Sequence, residues 1–147
     1  MSKLNLPSFT PKIQRKDGKL YIFDTVRRRY VRLTPEEWVR QHVIHWLLQQ
    51  QYPPGLMQVE RMHQQHGLHR RSDLLVFDRQ ARPFLLVECK APHLNLSESD
   101  TRQLLTYNTH FGAPYLMLTN GMNHHLWHKT EDNYHTIKTL PDFPSAQ

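Results

Sequence analysis

The 147-residue sequence predicts a single α/β domain, with a mixed central β-sheet flanked by two principal helices. Three observations carry this reading. Two apolar runs, Leu74–Phe77 and Phe84–Val87, lie on either side of the polar stretch Asp78–Pro83 and read as a strand hairpin. Two segments, opening near Thr34 and Ser97, place apolar residues at helical spacing behind a capping residue. A further apolar run, Pro114–Leu118, follows the second helix and reads as a buried strand.

Taken in order, residues 1–16 carry Pro7, Pro11 and several basic residues, and read as a flexible basic arm. Residues 17–140 form the predicted domain, and 141–147 a C-terminal tail. Leu20–Phe23 and Tyr30–Leu33 predict a hairpin across Asp24–Arg29, with Arg27, Arg28 and Arg29 at its tip. Such a run is usually a solvated turn and can also touch phosphate; sequence does not separate the two. Thr34 then suits an N-cap, Pro35 the first helical position and Glu37 the third residue of a capping box. Val39, Val43, Trp46 and Leu47 make the stripe that faces the sheet.

Pro53, Pro54 and Gly55 end this helix, and Met57–His63 alternates as a strand. Its Glu60 lies near the acids discussed below or, by the better reading, pairs with a basic neighbour. His66–His69 predicts the turn into the next strand. The second helix opens with Ser97 and Asp100 as cap and third residue, buries Leu104, Tyr107 and Phe111, and stops at Gly112. Thr119–Gly121 reads as a turn, and His125–His128 and Tyr134–Lys138 as closing strands. His124, His125 and His128 lack the carboxylate or cysteine pattern of a zinc site.

The chemistry is concentrated at one end of the central hairpin. A loop over Arg79–Arg82 gives the register Phe77–Phe84, Val76–Leu85, Leu75–Leu86 and Leu74–Val87, so the next pair is Asp73–Glu88. Like charges directly opposed on neighbouring strands repel. A divalent cation turns that repulsion into chelation, and carboxylate oxygens suit magnesium or manganese. Strand alternation puts Lys90 on the face of Glu88 and Cys89 on the other. There Lys90 can hold an attacking water or stabilise charge on a phosphate. Arg70 and Arg71, just before Asp73, grip a phosphate or neutralise the carboxylates. The plainer alternative is a solvated strand end with a cross-strand ion pair.

Composition fits an anionic partner. The net charge is +6 and the isoelectric point about 9.7, which favours nucleic acid over membrane. No apolar run approaches the length of a spanning helix, and no secretory signal opens the chain. Cys89 is the single cysteine, which excludes an internal disulfide and a cysteine zinc cluster. A reducing, cytoplasmic location is the expectation.

Arg71-Ser72-Asp73, Glu88-Cys89-Lys90 and Gln103-x-x-x-Tyr107 together resemble the PD-(D/E)xK nuclease pattern. With Thr34–Arg40 and Leu118–Gly121 in the same order, the layout is similar to the N-terminal nuclease domain of type I restriction enzyme R subunits. The resemblance covers about Leu20 to Leu140. It implies a restriction-endonuclease-like core, dependence on Mg2+ (or Mn2+) and a DNA substrate. By it, Asp73 and Glu88 would be metal ligands with the Cys89 backbone carbonyl, Lys90 the catalytic lysine, and Gln103 and Tyr107 DNA-proximal supporting residues. Glu36 or Glu37 could match a glutamate that many such enzymes carry on the first core helix, so Glu37 stands both as a cap and as a candidate ligand. Ser72 departs from the usual first residue of the motif, a tolerated change.

Such subunits also carry a helicase motor, for which this length leaves no room. A helicase or translocase partner, or a methyltransferase, is therefore expected nearby, and double-strand cutting would call for a homodimer or two visits. The expected function is a metal-dependent DNA nuclease of restriction or DNA processing. The alternative is a DNA-binding or assembly module with the same fold that needs a helicase or does not cut.

Overall fold

The computed structural model describes residues 1–63 and 70–145, with side chains described over 1–59 and 74–145. The turn expected at His66–His69 lies outside them. A small antiparallel sheet comes first, from β1 (Ile13–Lys16), β2 (Lys19–Asp24) and β3 (Arg29–Arg32). Helix α1 (Pro35–Gln49) and a single 3₁₀ turn at Pro54–Leu56 lead into the main sheet. That sheet holds β4 (Met57–His63), β5 (Arg70–Phe77), β6 (Pro83–Cys89), β7 (Tyr115–Thr119), β8 (His124–Thr130) and β9 (Asn133–Ile137), in that spatial order. Helix α2 (Glu98–Tyr107) crosses from β6 to β7, the one parallel pair; the other pairs are antiparallel. The architecture is the α/β mixed sheet with two helices that the sequence predicts, and it is compatible with a restriction-endonuclease-like core.

Alternation along the central strands builds two apolar cores. Leu74, Val76, Leu85, Val87, Cys89 and Met117 pack with Val39, Val43, Ile44 and Leu47 of α1. On the opposite face Leu75, Leu86, Leu116 and Leu118 pack with Leu104 and Tyr107 of α2. Strands covered on both faces read as continuous apolar runs. The hairpin departs from the expected register at one point: Phe77 pairs with Pro83, and the register shifts before Val76 meets Leu85. Phe84 is thus the extra residue of a β-bulge. The bulge explains why consecutive Phe84 and Leu85 belong to the same core. Asp78 fixes this loop by accepting from the backbone N–H of Gln80 (2.9 Å) and Arg82 (3.0 Å).

Within the first sixteen residues, expected as a flexible basic arm, several side chains meet the domain. Leu4 is buried in the α1 core, Phe9 stacks on His45 at 4.0 Å, and Ile13–Lys16 adds an unforeseen strand to the small sheet. The reason is the apolar content of the arm: Leu4, Leu6 and Phe9 have surface to bury. The C-terminal tail likewise lies on the domain at Phe143, whose ring meets Tyr52 and Phe84.

Candidate active site

Glu88 is the last residue but one of β6, and its backbone pairs with Asp73 on β5 and Leu118 on β7. Asp73 in turn pairs with Glu60 on β4. Three acidic positions thus follow one another across three neighbouring strands, at Cα separations of about 4.5–5.5 Å by antiparallel geometry. The side chains of Glu60, Arg70, Arg71 and Asp73 fall outside the described residues. Glu88 is 3% exposed and alternates with Leu86 onto the α2 side of the sheet, while Cys89 turns into the α1 core.

Lys90 follows directly. Its backbone N–H donates to the Thr119 carbonyl at 2.8 Å, which extends the β6–β7 pairing beyond the last strand residue. Its Nζ lies 2.8 Å from Oδ1 of Asp100. Asp100 is also the third residue of α2: its Oδ2 accepts from the Ser97 N–H, and its own N–H donates to Ser97 Oγ. Ser97 and Asp100 therefore form the expected capping box. Burial works to raise the Asp100 pKa, but the bonds from Lys90 and Ser97 outweigh it and hold the carboxyl below the usual carboxylate range. The Lys90–Asp100 bond escapes sequence reasoning because the residues belong to different elements. It needs the connection from β6 to α2 to fold back on the sheet.

Glu37 is occupied elsewhere. The Thr34 hydroxyl accepts from the Glu37 N–H at 3.0 Å, as an N-cap should. The Glu37 side chain does not complete a capping box, contrary to expectation. One carboxylate oxygen accepts from Arg27 (2.7 Å) and Arg40 (2.8 Å), and the other from Gln41 (3.0 Å). Two arginines outcompete a single backbone N–H because charge-assisted bonds are the stronger kind. Arg27 also donates to Asp24, which is fully buried. This network fastens the β2–β3 turn to α1, and α1 covers the Cys89 face of the sheet, opposite the face of Glu88.

Of the two residues expected to support the site from α2, Gln103 is exposed and its amide meets Ser99 Oγ at 3.4 Å. Tyr107 is 5% exposed and packs in the α2 core, with its ring 5.1 Å from Phe111. The histidines are spread out: His124 bonds Thr119 Oγ1 and the Asn5 carbonyl, and His128 stacks on Tyr115. Among the described residues no three His, Cys, Asp or Glu converge as a metal site. Asp73 and Glu88, paired in the register at the β5–β6 end, are acidic residue types, and hard carboxylate oxygens are the kind of ligand magnesium takes. No helix among the described residues is long and apolar enough to cross a membrane.

Comparison with known families gives a match over residues 35–144 to the model for the type I restriction enzyme R protein N terminus. Searches of curated proteins and of solved structures give no significant match.

Proposed function

The chain belongs to the type I restriction enzyme R N-terminal family, and on that premise we propose that it is a metal-dependent DNA nuclease. The observation that carries this reading is the register pairing of Asp73 with Glu88, with Lys90 two residues beyond on the same side of the sheet. Asp73, Glu88 and the Cys89 carbonyl would hold Mg2+ or Mn2+. Such an ion would supply Lewis-acid chemistry, activating water and offsetting charge on phosphoryl oxygens. Lys90 stabilises the charge that develops on the phosphate and orients the attacking water. Asp100 holds the ammonium in place, and Ser97 holds Asp100. Arg70 and Arg71 supply phosphate contacts, Gln103 faces the DNA from α2, and Tyr107 anchors that helix in the core. Glu37 acts as a structural anion between Arg27 and Arg40. The partners under this reading are DNA and the motor or methyltransferase subunits of a restriction assembly, in the cytoplasm.

A plasmid-cleavage assay tests the proposal, with magnesium, manganese or EDTA. Wild type should cut with metal and not with EDTA, and Lys90→Met should lose activity while binding DNA as before. Asp73→Asn should abolish the metal-dependent rise in melting temperature that ligand linkage gives wild type. If Lys90→Met cuts like wild type, or metal stabilises both proteins equally, the site is elsewhere. The ion pair of Lys90 with Asp100 favours a second reading, a DNA-binding module that does not cut. Binding by wild type without cleavage under either metal would establish it.

A further inference from the structure

The positive charge of this protein is not spread over it. Residues 1–33 hold nine lysines and arginines against two acids, whereas residues 34–147 hold ten against eleven. The whole surplus therefore lies in the arm and the small sheet, ahead of the segment that matches the family. One of the two acids, Asp24, is buried and bonded to Arg27, which leaves Asp17 as the acid on this surface.

Alternation sorts the small sheet into unlike faces. Ile22 and Asp24 are fully buried on the inner one, in line with Val31 and Leu33. The outer face presents Tyr21, Phe23 and Tyr30, none of which belongs to either apolar core. Tyr30 is 39% exposed, Tyr21 and Phe23 are half-buried, and the Tyr30 ring lies edge-on to Phe23 with centroids 5.3 Å apart. Cations frame these rings. Arg32 pairs with Tyr21 in the register, and Lys12 Nζ sits 5.6 Å above the Phe23 ring. Lys16 stands directly opposite Lys19 across the turn, a like-charge pair that costs stability unless an anion lies between them. Among the described residues none of Lys16, Lys19 and Arg32 forms an ion pair.

We propose that the outer face of the β1–β3 sheet binds single-stranded nucleic acid, its aromatic rings stacking on bases and its lysines and Arg32 neutralising phosphates. The spacing distinguishes single strands from duplex. Tyr21 and Phe23 are two residues apart on one strand, roughly 6.8 Å along it. That is about twice the 3.4 Å rise between bases stacked in a duplex. A strand whose bases can separate reaches both rings, and a stacked duplex offers only its phosphates. Stacking of bases on aromatic rings is sequence-tolerant, so this face adds affinity without specificity. The inference stands apart from the cleavage chemistry, because binding here involves none of Asp73, Glu88 or Lys90.

Fluorescence anisotropy with a labelled oligothymidine and a duplex of equal length tests it, on the full chain in EDTA so that nothing is cut. Tyr21→Ser/Tyr30→Ser should weaken oligothymidine binding by at least about tenfold and duplex binding far less. Lys16→Ala/Lys19→Ala, at exposed positions that keep the fold if the tyrosine variant does not, should weaken both probes. It should also flatten the single-strand salt dependence by about 0.7 for each cation lost. Lys138→Ala, an exposed lysine just after β9, serves as the control and should change neither. The proposal is overturned if the tyrosine variant, shown folded by circular dichroism, binds oligothymidine like wild type. It is equally overturned if Lys138→Ala matches the lysine variant, or if phosphatidylserine vesicles are bound through these residues while oligothymidine is not. Plasmid cleavage by Lys90→Met reads the nuclease proposal and oligothymidine binding by the tyrosine variant reads this surface, so either can fail while the other stands.

Discussion

The two sheets of this protein obey the same alternation and reach opposite ends. In the six-stranded sheet, β5, β6 and β7 are covered on both faces, so their interiors are apolar and charge appears where β6 runs out, at Glu88 and Lys90. In the three-stranded sheet only the inner face is covered, and the outer one keeps three aromatics among cations. A strand buried on both sides holds a carboxylate near its end rigidly, as the proposed metal site would require. A sheet with one open face offers area and charge, which give affinity through counterion release. Under the two proposals above, one sheet supplies chemistry and the other grip.

The largest effect expected from breaking this comparison is on cutting. Glu88→Gln should lower the turnover of plasmid nicking by about 10²–10³-fold. DNA affinity in EDTA should stay unchanged, since Glu88 lies outside the basic segment 1–33 and carries no positive charge to lose. Lys16→Ala/Lys19→Ala should do the reverse, with a raised KM and an unaltered kcat. A fall in kcat for the lysine variant would show that the two sheets do not divide the work.

The joint between the sheets comes next. Glu37→Ala leaves Arg27 and Arg40 without the carboxylate they share, and removing one partner of a buried ion pair costs about 3–5 kcal/mol. Arg40 retains Glu36 at 3.2 Å, so the lower part of that range is expected in urea unfolding. Glu37→Gln keeps the shape and should cut as well per folded molecule as wild type. A large loss of cleavage at normal stability would move Glu37 from the joint to the active site.

A smaller effect tests how the arm is held. Gly121 has φ +86°, and a Cβ there would come within 3.0 Å of the Leu4 methyls and 3.2 Å of Val39. Gly121→Ala should therefore destabilise by about 1–2 kcal/mol from backbone strain, with some further loss from displaced Leu4. Calorimetry reads this directly. In the Leu4→Ala background the displacement contribution should vanish and the strain should remain.

The smallest expected effect concerns Asp100. Its pKa is lower folded than unfolded, so its ionisation stabilises the fold. That contribution is present above the ordinary carboxylate value of about 3.9 and is lost as pH falls through the depressed one. Asp100→Asn should thus lose less than about 1 kcal/mol at pH 7. Its stability should converge on that of wild type in strong acid. A constant difference across the acid range would assign the loss to the helix cap alone.

Local rules determined much of this protein from its sequence. Thr34 and Ser97 announce both helices, because a cap satisfies N–H groups only three residues away. Leu74 to Asp73 opposite Val87 to Glu88 follows from one hairpin, so the Asp73–Glu88 pairing was legible even though the bulge at Phe84 was not. The basic and aromatic positions of β2 and β3 alternate with period two and were equally open to reading. Only the tertiary structure decided that Lys90 meets Asp100, that Glu37 serves Arg27 and Arg40 rather than its own cap, and that Leu4 packs on Gly121. A capping bond or a hairpin register is fixed within a few residues of chain. The partner of a long charged side chain depends on which helix covers which face of the sheet, and that is set by burial of the whole apolar surface at once.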